Sequence, residues 1–161
     1  MIYLVKLLEE LTFTYSVKKK IQLLVDYFQI ENVKERGYAL GFISGNINFK
    51  KIKKSNVLNV VRNNIDPYLF EQSYDYVGDL AETISLIWPK NNLIKETVKV
   101  SNIISDLNES NKNIEEVILF YLNKLSVKEK WIFIKLILGG LRVGVSSKII
   151  NATKDIIKTI K

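Results

Sequence analysis

From Leu4 to Ile160 the apolar residues of this chain recur every three to four positions, and no segment alternates apolar with polar as a half-buried strand does. Period alone therefore limits the architecture to packed helices. Leu4, Leu7, Leu8 and Leu11 make a first stripe, and Ile21, Leu24, Val25 and Phe28 a second behind Ser16 as its N-cap. Tyr38 to Ile43 reads as a short third helix ending near Gly45. Ser55 opens a fourth, with Val57, Leu58 and Val61 inward. Asp66-Pro67 is a cap followed by proline at the first helical position, which starts a helix over Tyr68 to Tyr74.

The later half carries clearer punctuation. Asp79 with Glu82 and Ser126 with Glu129 have the spacing of a capping box, and Asn113 precedes Glu116 in the same way. Ile114 to Leu122 and Trp131 to Leu138 then form a helical pair across a short turn. Ser146 starts the last helix, with Ile149, Ile150, Ile156, Ile157 and Ile160 on its apolar side. Pro89 to Asn113 is polar and reads as a long loop or an irregular helix. The expectation is an all-α fold, a single-domain bundle spanning residues 1–161 with about ten short helices and no internal repeat.

A chain of 161 residues suits one domain. It holds no cysteine and no histidine. That removes disulfides, thiolate metal sites and the commonest general base near neutral pH, and with them a conventional hydrolase triad. The longest apolar run, Trp131 to Leu141, is interrupted by Lys135 and falls short of the ~20 residues that span a bilayer. Met1 to Glu10 lacks the basic start and cleavage site of a secretory leader, so the expected location is cytoplasmic. The net charge of +7 is uneven. Lys50, Lys51, Lys53, Lys54 and Arg62 fall within 50–62 without an acid, and residues 130–161 set seven basic side chains against Asp155 alone. A chain with one basic face suits a polyanion.

Two blocks stand out against this background: Ser73-Tyr-Asp-Tyr-Val-Gly-Asp-Leu-Ala-Glu-Thr-Ile84 and Gly139-Gly-Leu-Arg-Val-Gly-Val-Ser146. The second holds three of the seven glycines. Glycine lets a backbone turn sharply and approach a surface closely, and the unpaired N–H groups of the helix that follows favour a phosphate. Arg142, one of three arginines, adds a planar fork suited to phosphate. In the first block Gly78 turns the chain and Asp79 reads first as a helix cap. Ser16-Val-Lys-Lys-Lys20 is a third turn of this kind, a cap followed by a basic first turn. Lys53 and Lys54 form a basic loop before a helix, and Lys148 lies in the first turn of the last one. The alternative for all of them is plain: helix caps and solvated surface.

Both blocks resemble the helical N-terminal DNA-binding domain of ATP-dependent DNA ligases, in the bacterial branch. The likeness extends to Leu11-Thr-Phe-Thr-Tyr-Ser16 with Lys20, to Asp26-Tyr-Phe28, to Glu35-Arg-Gly-Tyr-Ala-Leu40, to Asp66-Pro-Tyr-Leu-Phe70 and to Trp88-Pro89. It covers residues 1 to about 155 and is weak between Asn91 and Asn123. Tyr38 stands where this branch often has Trp. The resemblance implies a domain that grips duplex DNA around a nick, largely in the minor groove, without reading sequence. It implies contacts at Ser16 and Lys20; at Gly78 beside Asp79; and at Gly139, Gly140, Arg142, Gly144 and Ser146. Lys53, Lys54 and Lys148 complete the candidate set on charge.

Ligases of this family take AMP onto the lysine of a Lys-x-Asp-Gly motif, and this sequence contains no Asp-Gly pair. No nucleotidyltransferase or OB-fold region follows the resemblance. The chain is therefore expected to have no catalytic residue, metal site or cofactor of its own. ATP and Mg2+ would enter only with a catalytic domain elsewhere, and the expected partners are duplex DNA, nicked above all, and a separately encoded ligase catalytic subunit. A helical protein-interaction module or regulatory relic that no longer binds DNA is the alternative.

Overall fold

The computed structural model describes residues 1–90, 97–109 and 111–160. Among them are ten α-helices and no strand: α1 (Ile2–Thr12), α2 (Val17–Ile30), α3 (Val33–Ile43), α4 (Lys54–Asn64), α5 (Pro67–Val77), α6 (Leu80–Ile87), α7 (Val100–Asn108), α8 (Ile114–Lys124), α9 (Val127–Leu138) and α10 (Ser147–Ile160). The fold class is all-α. None of these helices is long and apolar enough to cross a membrane.

Side-chain caps set most of the helix starts. Ser16, Asp66 and Asp79 each accept a backbone N–H three residues on. At α9 the box closes both ways: Ser126 Oγ accepts from the Glu129 N–H, and the Ser126 N–H donates to Glu129 Oε2. Elsewhere the boundaries move. Asn32 caps α3 through the N–H groups of Lys34 and Glu35, so this helix begins five residues before Tyr38. α4 begins at Lys54 rather than after Ser55, because Asn56 Oδ1 reaches back to the Lys53 N–H. The buried residues on its inner face are Val57, Val60 and Val61, while Leu58 is only half-buried. In the polar Pro89–Asn113 stretch, Val100, Ile103, Ile104 and Leu107 are spaced for one helical face, and α7 forms there with all four buried. Residues 91–96 and 110 of that stretch lie outside the described residues.

The helices pack in two compact units, residues 1–48 with 140–161 and residues 49–139. In the first, α2 is the hub against which α1, α3 and α10 pack. Leu4, Leu8, Leu11 and Leu24 are sealed inside it. Gly41 is required there: a Cβ at this position would lie 2.3 Å from Ile47 Cδ1, where the chain folds back and the Ile47 N–H donates to the Gly41 carbonyl. On α10, Ile149, Ile150 and Thr153 are buried, whereas Ile156 and Ile160 remain exposed.

In the second unit α9 is the most enclosed helix, burying Ile132, Phe133, Ile134, Leu136 and Ile137. Its main partner is α6, although α8 is its neighbour in sequence; α8 packs on α4 and α7 instead. Trp88 Nε1 donates to Asn123 Oδ1, and Asn56 and Asn59 donate to Glu115 Oε1, tying α6 and α4 to α8. By contrast α5 buries no residue fully.

Candidate nucleic-acid interface

Within the first unit, two of the three sequence-marked turns meet. Lys20, at the end of the first turn of α2, is buried, and its ammonium donates to the carbonyls of Val143 at 3.0 Å and Gly144 at 2.8 Å. Ser16 and Ser146 are thereby held at neighbouring helix starts. At the far ends, Phe28 and Gln29 of α2 share a cleft with Ile157 and Ile160 of α10. The two helices thus run side by side in the same direction, and their positive dipole ends lie together.

Charge at these ends is unusual. Neither α2 nor α10 has an acid in its first turn, whereas α3, α6, α8 and α9 all do. Lys18, Lys19, Arg142 and Lys148 are exposed around them. Such cations oppose the dipole of the helix they begin, a small local cost that a bound anion reverses. Gly144 sits at φ +61°, and a Cβ there would come within 2.7 Å of the Lys20 ammonium. Glycine at this position serves both the turn and the close approach of the lysine.

Lys20 is consequently turned inward. Its ammonium holds the glycine turn, and the exposed cations at this end are its neighbours Lys18 and Lys19. Ser16 Oγ accepts from the Lys19 N–H at 3.3 Å. Ser146 is exposed, and its carbonyl accepts from the Ile150 N–H.

In the second unit the other candidates gather around a different ion pair. Asp79 caps α6, accepting from the Glu82 N–H at 2.9 Å, and its second oxygen pairs with Lys135. Burial pushes the Asp79 carboxyl up, but the Lys135 hydrogen bond and charge, with the Glu82 and Ala81 amides, outweigh it and hold the pKa below the usual value. Lys135 lies one turn before Gly139, whose left-handed conformation (φ +72°) ends α9, so the Gly78 and Gly139 turns stand at the same end of this unit. The Gly78 N–H donates to the Tyr74 carbonyl and the Gly139 N–H to that of Lys135. Both amides thus close helices, and what these glycines offer a ligand is an exposed surface without side chains.

Lys53 and Lys54 are exposed at the start of α4, which also lacks a first-turn acid. The Lys54 ammonium lies 5.6 Å from the Tyr74 ring centroid. Gly140 is exposed, and the units part between Gly139 and Gly140. Lys135 was missed in the sequence because it reads as an interruption of an apolar run. Among the described residues no three carboxylate side chains gather as a metal would require.

A second polar cluster lies in the region of weak resemblance. Asp106 accepts from the Tyr121 hydroxyl and from Lys112, which also pairs with Glu109. Those hydrogen bonds hold the Asp106 carboxyl below its ordinary pKa. Comparison of the sequence with protein-family models and with curated proteins finds no match.

Proposed function

We propose that this chain is a sequence-independent binder of duplex DNA, of the kind found at the N-terminal end of ATP-dependent DNA ligases and serving DNA repair, replication and recombination. One observation carries the reading. Two parallel helices present their N-termini together, without first-turn acids and ringed by Lys18, Lys19, Arg142 and Lys148. Backbone phosphates are the ligand such an arrangement suits, because dipole, amides and side-chain charge act with one sign. The exposed glycines Gly78, Gly139 and Gly140 favour close approach of a sugar–phosphate edge, and Lys53 and Lys54 add charge. Sealing of a nick falls to a nucleotidyltransferase part with its own ATP and Mg2+.

Fluorescence anisotropy on labelled duplexes of two unrelated sequences, at two salt concentrations, tests this. Equal affinities that fall steeply with salt are expected. No binding at low salt, or binding no tighter to duplex than to single strands, would end the proposal.

A protein-interaction role has α5 in its favour. Tyr68, Leu69 and Tyr76 are exposed there beside the exposed acids Asp66, Glu71 and Asp75, a surface that repels phosphate and suits a protein. Tyr68→Ser with Tyr76→Ser leaves DNA affinity unchanged if this face belongs to a protein partner, as the same titration would read.

A further inference from the structure

The turn between α1 and α2 has the wrong composition for a solvated turn. Residues 13–17 read Phe-Thr-Tyr-Ser-Val, and Phe13 is 81% exposed, Tyr15 96% and Val17 57%. Polar residues dominate such turns for physical reasons, and single exposed apolar residues are common. Three in five positions, two of them aromatic, form a patch. The residues that follow are the exposed Lys18 and Lys19, and Lys20 then fastens the turn that carries Arg142. Aromatic faces and cations thus occupy one end of one unit.

An apolar protein surface would satisfy the rings and strand the lysines. Nucleic acid satisfies both, since each nucleotide carries a flat π-face beside a phosphate. In an intact duplex those faces are stacked away; at a strand break one step has lost its covalent tether and opens at lower cost.

We propose that Phe13 and Tyr15 stack on nucleobases at a break in the duplex, making this turn the element that prefers nicked or gapped DNA over intact DNA. The inference rests on the duplex-binding reading above and adds to it the feature of DNA that is recognised. The phosphate contacts hold any duplex, and the aromatic pair distinguishes a broken one.

The test uses the full chain with intact, nicked and one-nucleotide-gapped duplexes of one sequence. Each is read by anisotropy, and 2-aminopurine at the break reports unstacking. The wild-type protein is expected to bind nicked or gapped DNA at least about fivefold tighter than intact DNA, with a change in 2-aminopurine emission. Phe13→Ala with Tyr15→Ala should bring the ratio to one while leaving intact-duplex affinity unchanged. Phe13→Leu with Tyr15→Leu, which keeps the apolar character and removes the π-face, should do the same. Matching helical circular dichroism establishes that both variants are folded, and the wild-type 2-aminopurine response needs no variant at all.

A wild-type protein that binds all duplexes equally, or a ratio that survives both double variants, overturns this inference and leaves the duplex-binding reading standing. Loss of a wild-type dimer in sedimentation velocity on Phe13→Ala with Tyr15→Ala, with the DNA ratio unchanged, would make the patch a self-association surface and overturn it too. Absence of any DNA binding by the wild type removes both readings together.

Discussion

A lysine ammonium is among the groups most at home in water, yet that of Lys20 is buried against two backbone carbonyls. Its desolvation is offset because those carbonyls would otherwise be poorly satisfied in a turn built on Gly144. Lys20→Met should therefore destabilise the protein by about 1–3 kcal/mol in chemical denaturation, while Lys19→Met should leave stability within about 0.5 kcal/mol of wild type. The low pKa values of Asp79 and Asp106 have a definite sign. A carboxyl with a depressed folded-state pKa contributes stability above its unfolded value, about 4, and loses it as pH falls through the folded value. Denaturation midpoints should be level near neutrality and fall below about pH 4, less steeply in Asp79→Asn, whose own midpoint at pH 7 is lower. On the alkaline side, burial raises the phenol pKa of Tyr27 and Tyr121 above the ordinary value; Glu31 and Glu35 add to this at Tyr27, and Asp106 at Tyr121. Their stabilisation is complete below about pH 10 and is lost as pH rises, so absorbance at about 295 nm should show these two phenols ionising only as the protein unfolds. None of this was legible in residue order. Lys20, Lys135 and Asp106 acquire their partners from residues 123, 56 and 15 positions away.

Helix starts were the most legible part of the chain wherever a short polar side chain stood alone before an apolar stripe. Ser16, Asp66, Asp79 and Ser126 all cap as their spacing implies. Errors arose where polarity masked the period. Asn32 was overlooked because Val33 to Gly37 carries three charges, and α7 because lysines and asparagines flank its four apolar residues. Partner choice was illegible too: α8 and α9 are adjacent along the chain, but the surface of α9 is complementary to α6. For the candidate site, the glycines and caps were visible as turns, while the parallel setting of α2 and α10 depends on packing that no local pattern encodes. The prediction at this scale concerns the exposed Arg142, on the segment leading into α10. Arg142→Ala should weaken duplex binding by a similar factor on every sequence and reduce the slope of log affinity against log salt by about 1, with melting temperature unchanged. Gly144→Ala should weaken binding as well and, unlike Arg142→Ala, lower stability by more than about 1 kcal/mol, since both φ and the Lys20 ammonium oppose a Cβ there.

At the scale of the whole molecule, all-helical character follows from the period of apolar residues, but the division into two units does not. No proline- or glycine-rich linker announces it, and one of its boundaries falls inside the Gly139-Gly140 pair. The core of the second unit should be the less forgiving. Phe133 is fully buried in its most enclosed helix, and Phe133→Ala should cost about 3–5 kcal/mol, read as a lower melting temperature. One further property comes from the order in which the units are strung. The first is assembled from both ends of the sequence, and the second is a single uninterrupted stretch inserted into it. A ribosome therefore releases α1, α2 and α3 long before the α10 they pack with, and the glycine turn that Lys20 fastens is among the last parts to emerge. Progressive deletion from either end dismantles the same unit, and a nascent chain has no seat for phosphate at α2 and α10 until its synthesis is nearly over.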